Sequence, residues 1–162
     1  RKFDLLTMGR PEGPKCYCYV NNLLRKFLDE ARAGYPYVVV DNEAGMEHLS
    51  RRTTNRVDDL LILTEATAVG VKTAQRIMEL SRSLPISVKR RAAVLSAARG
   101  RVTDELLRDL GAAGLEVWAT IPYDAELEAA AAAGRTIFDV PAQSPALAAV
   151  GALLRQHLLA SS

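Results

Sequence analysis

Cys16 and Cys18, the only two cysteines in the chain, are separated by a single residue. A disulfide between them would be strained, because the Cα separation and Cβ directions at this spacing rarely suit one. As thiolates they supply only two ligands, whereas a structural zinc site takes four in a tetrahedron. A twofold partner bringing a second pair would complete an all-sulfur site. The plainer alternative is two small, partly buried thiols at the start of a helix. A second segment, Asp41-Asn42-Glu43-Ala44-Gly45, follows the apolar run Tyr37-Val38-Val39-Val40. An aspartate that ends a buried strand can hold magnesium, often through water, and a nearby glycine lets the backbone approach a terminal phosphate. Asp41 equally suits a turn cap. A third segment, Ile121-Pro122-Tyr123-Asp124, closes another apolar run, and Asp124 there has the type and place of a helix N-cap. The two histidines are His48, inside the second segment, and His157, in an apolar terminal stretch where packing or the surface explains it.

These segments need elements to position them. Phe3 to Met8 reads as a strand and Cys18 to Ala33 as an amphipathic helix, its apolar positions including Val20, Leu23, Leu24, Phe27, Leu28 and Ala31. Gly34 is expected to stop that helix in a left-handed cap. Tyr37 to Val40 is a continuous β-branched run, the pattern of a strand covered on both faces. Further strands are predicted over Asp59 to Thr64, Ala92 to Leu95 and Glu116 to Ile121. Helices are predicted over Val71 to Leu84, from Thr103 with Asp104 and Glu105 in the first turn, through Ala129 to Ala133 with Gly134 ending it, and from Ser144-Pro145 to about Ala160. Strand and helix in alternation predict an α/β fold, a mostly parallel sheet flanked by helices on both faces. In such sheets ligands bind at the carboxyl ends of the strands, where all three segments fall.

Composition narrows the function classes. The chain has 162 residues, a length for a single domain, residues 1–162, able to bury a sizeable core. With 21 basic and 19 acidic side chains, the net charge of +2 gives no reason to expect nucleic acid or an anionic membrane as partner. No apolar run approaches the ~20 residues of a membrane span. The cysteine usage fits a reducing cytoplasm.

The run from Gly9 to Arg25, GRPEGPKCYCYVNNLLR, closely resembles the cysteine motif of the CooC-type ATPases, as does Val39 to Arg51, VVDNEAGMEHLSR. These accessory proteins mature nickel-containing carbon monoxide dehydrogenase and are deviant P-loop ATPases similar to MinD and ParA. The resemblance runs almost end to end and implies a P-loop NTPase-like fold of the MinD or SIMIBI type. It gives Asp41 the Walker B role near Mg2+, and makes Glu43, Ala44 and Gly45 the segment that senses the γ-phosphate of ATP. Cys16 and Cys18 become ligands of nickel or zinc, paired with the same two residues of a second subunit in a homodimer. ATP binding favours the closed dimer in that family, and hydrolysis is coupled to delivering nickel to the client enzyme. Soft thiolates suit zinc, copper(I) or nickel better than magnesium or calcium. The loop at Pro122 to Asp124 resembles the one beside the nucleotide base. The terminal helix lacks the basic face of a membrane-binding MinD tail, so neither membrane nor nucleic acid is expected as a partner.

Two departures qualify the resemblance. No Gly-x-x-x-x-Gly-Lys-Ser/Thr run occurs, so the phosphate-cradling loop is missing. In the family it lies well before the strand at Phe3, and the reading therefore expects a domain incomplete at its N-terminus and a chain inactive by itself. Relatives also carry an asparagine after this strand that reads the adenine edge; here Ser96 or Ala97 takes its place, and Ser96 is the candidate contact. The alternatives are a non-catalytic metal-binding or dimerisation module and a generic MinD/ParA-like ATPase.

Overall fold

The computed structural model describes residues 3–7, 26–28, 30–31, 34–42, 56–98 and 102–159. They fall in two compact units, Arg1–Asn55 and Arg56–Ser162.

In the first unit, helical turns at residues 26–28 and 30–31 match the expected amphipathic helix. Gly34 corrects one expectation. It is itself helical, and the Tyr35 amide donates to the Ala31 carbonyl at 2.9 Å, so the last turn closes without a left-handed cap. Residues 3–7 and 37–42 correct another, being in no strand and for the most part exposed. Val39, placed by its β-branched neighbours in a covered strand, is 92% exposed. Branching at Cβ favours an extended backbone, but a strand forms only where a neighbour completes the hydrogen-bond ladder. Among the described residues no ladder includes these segments. The Tyr35 hydroxyl donates to the Asp4 carboxylate within this unit.

The second unit alternates strands and helices. Strand β1 (Arg56–Glu65) leads to α1 (Ala68–Ser83), β2 (Ser87–Ala98) to α2 (Asp104–Ala112), and β3 (Glu116–Pro122) to α3 (Ala125–Ala132). A 3-10 turn (Ile137–Asp139) precedes α4 (Pro145–Leu153), which passes into a π-helical turn (Leu154–Leu158) rather than running on as α-helix. The strands lie in the order β1-β2-β3, all parallel. Ile62 sits opposite Ala93, and Ala93 opposite Val117. On that face Ile62, Ala93 and Leu95 bury against Val71, Ala74 and Met78 of α1 and Leu106 and Leu110 of α2. On the other, Ala92 and Val94 are buried and α4 packs along β3. Helices therefore lie on both faces, as the alternation predicts, though on the α4 side they leave Leu63 of β1 exposed.

Local chemistry sets the ends. Thr67 and Thr103 cap α1 and α2 by accepting from the Gly70 and Leu106 amides at 3.0 and 3.3 Å. Gly114 and Gly134 take the left-handed conformation after α2 and α3, at φ of +79° and +66°. Pro145 opens α4 behind its Ser144 cap. At the amino end of the sheet, Arg90 donates to Asp59 at 2.5 Å and to the His157 carbonyl at 2.9 Å. Its guanidinium lies 4.9 Å from the centre of the Trp118 ring, on which His157 stacks at 4.5 Å and 9°. His157 thus packs, as its apolar setting suggests, and seats the terminal turn at the end of the sheet away from the candidate site.

Candidate functional site

The carboxyl edge of the sheet is built from three strand ends. Glu65 of β1 lies beside Ser96 of β2, and Ala98 of β2 beside Pro122 of β3. The pairing of β2 with β3 is interrupted between Leu95 and Ala98, where β2 uses one residue more than β3 does from Thr120 to Pro122. A bulge of this kind kinks the strand and re-aims a side chain at the rim. It falls beside Ser96, which is half-buried.

Asp124, at the next turn, is buried and both its oxygens are engaged. Oδ1 accepts from the Glu126 and Leu127 amides at 3.0 and 3.2 Å, capping α3. Oδ2 accepts from the Ser144 hydroxyl at 2.5 Å and the Ala146 amide at 3.3 Å. Ser144 in turn accepts from the Leu147 amide at 3.1 Å, so one carboxylate ties together the starts of α3 and α4. Next to it the Tyr123 hydroxyl donates to the Glu128 carboxylate. The Ser144 hydroxyl is the largest cause holding the Asp124 carboxyl below the ordinary aspartate range; burial opposes it, and the Leu127, Ala146 and Glu126 amides add to it.

A carboxyl depressed on folding stabilises the fold above its unfolded pKa, and that contribution disappears as pH falls through the folded value. Stability of the parent chain is therefore expected to fall from about pH 4 downward. Asp139, depressed chiefly by the Thr136 amide, falls in the same window, so the comparison must be with a variant. Asp124→Asn turns an amide NH2 toward the Ala146 N–H, which has no acceptor to offer. It is expected to lower Tm at neutral pH by roughly 5 °C, and to flatten the acid decline in denaturation midpoints measured from pH 7 to 2. An unchanged acid slope would sink the assignment.

Asp41 lies in the first unit, exposed and outside any strand. Cys16, Cys18, Glu43, Ala44, Gly45 and His48 lie outside the described residues. Among the described residues no group of three or more His, Cys, Asp or Glu is placed to hold a metal ion, and no described helix is long and apolar enough to cross a membrane. A depression of about 260 Å³ between the starts of α1 and α2 is lined by residues including Thr67, Thr103, Glu105 and Asp109. Helix N-termini favour anions, but these two acids oppose one there, and both threonine hydroxyls already serve as caps. Reading the sequence missed the shared use of Asp124 and the Arg90–Trp118–His157 cluster; Ser144-Pro145 marks a helix start but not its partner.

Parallel strands with helices on both faces define an open α/β fold, and solved structures specify which. No protein-family model matches the chain. It superposes on a ParA-family ATPase from Chlorobium tepidum with a TM-score of 0.67 at 18% identity, over 85% of this chain and 57% of that one. The cell division ATPase MinD of Pyrococcus furiosus gives 0.62 at 12%, over 82% and 56%. The fold is that of the MinD/ParA class of P-loop NTPases. In sequence, the chain is 38% identical over 139 residues to an ATP-binding protein of Methanocaldococcus jannaschii, covering 86% of this chain and 55% of that protein. It is 32% identical over 142 residues to the carbon monoxide dehydrogenase accessory protein CooC of Rhodospirillum rubrum, covering 84% and 52%. The chain spans about half the length of the curated relatives it matches.

Proposed function

We propose that this chain serves in a cytoplasmic, ATP-dependent metallochaperone of the CooC type, which hydrolyses ATP and delivers nickel to a client enzyme such as carbon monoxide dehydrogenase. The observation that carries the proposal is the 32% identity with CooC over 142 residues. The MinD/ParA fold supports the nucleotide part of it. The donor chemistry fits: Asp41 offers a hard oxygen suited to Mg2+, and Cys16 and Cys18 offer soft sulfur suited to nickel or zinc. In this proposal Glu43, Ala44 and Gly45 sense the γ-phosphate, and Ser96 with Pro122 lies against the base. Asp124, its carboxylate already engaged by two helix starts, holds the Pro122–Tyr123 loop in place rather than reaching the nucleotide. Bound Mg2+ would neutralise phosphate charge.

Two thiolates per chain require two chains per metal. Titrating zinc or nickel into the reduced protein, with mass followed by light scattering, is expected to saturate at about half an equivalent per chain and to double the mass. In Cys16→Ser/Cys18→Ser both effects are expected to vanish. Binding that ignores the substitutions, or mass that ignores the metal, overturns the shared site. ATP binding is the separate arm: affinity gained when an upstream segment carrying a phosphate loop is added favours the ATPase, whereas metal-linked dimerisation with no affinity gained favours a metal-binding dimerisation module.

A further inference from the structure

We draw no further inference here: the strongest candidate, the apolar surface that Leu61 and the exposed Leu63 of β1 present on the α4 side of the sheet, is an uncovered face, and nothing among the described residues shows what covers it.

Discussion

Gly70→Ala is expected to destabilise the second unit by about 3 kcal/mol, read as a lower urea midpoint at unchanged slope. Gly70 sits in the first turn of α1, where the helix leaves β1 through the tight Glu65-Ala66-Thr67 connection. A Cβ there falls on the Glu65 carbonyl oxygen and lies 2.8 Å from Thr64 Oγ1. The carbonyl is backbone and Thr64 is buried, so neither can yield without moving the strand end. Helix propensity by itself predicts the opposite sign, because alanine is better than glycine in a helix by about 1 kcal/mol. Gly111, in α2, supplies the comparison: nothing lies within 4 Å of its Cβ position, so Gly111→Ala is expected to stabilise by about 0.5–1 kcal/mol. If both substitutions stabilise, the close approach of α1 to β1 is wrong.

Leu95→Ala is expected to cost about 3 kcal/mol. Leu95 is in the central strand, 0% exposed, and packs in the cluster formed with α1 and α2. Truncating it removes transfer free energy and leaves a cavity whose walls are held by a sheet on one side and two helices on the other. Leu63 has the same side chain in the neighbouring strand but is 64% exposed. Leu63→Ala is therefore expected to change stability by no more than about 0.5 kcal/mol. Equal losses at the two positions would mean that the face of β1 carrying Leu63 is covered.

The contrast between these leucines shows what the sequence could and could not convey. Asp59 to Thr64, Ala92 to Leu95 and Glu116 to Ile121 were legible as strands because a parallel sheet covered by helices demands short continuous apolar runs. Thr103 and Ser144 were legible as helix starts because a cap is a local event. Tyr37 to Val40 has the same composition yet forms no strand, since a ladder belongs to the neighbour as much as to the segment. The early part of β2, with Lys89, Arg90 and Arg91, hid for the converse reason. Arg90 pairs with Asp59 and Arg91 donates to Ser81 at 3.0 Å, partners supplied by the fold.

The same division runs through the candidate site. Ser96, Pro122 and Asp124 were legible as residues at strand ends, and the structure puts them along the carboxyl edge. The second half of the Asp124 assignment was not, because Ser144 lies 20 residues further on and nothing local marks it as the partner. His157 and Arg90 are 67 residues apart, and only the return of the chain along α4 brings them together.

Trp118 is the only tryptophan in the sequence. With an imidazole stacked on it and a guanidinium over it, its surroundings depend on the terminal turn being seated. The chain therefore carries an optical gauge of its own: a change in indole emission with the bulk of the sheet intact registers the unseating of its last turn, with no label attached.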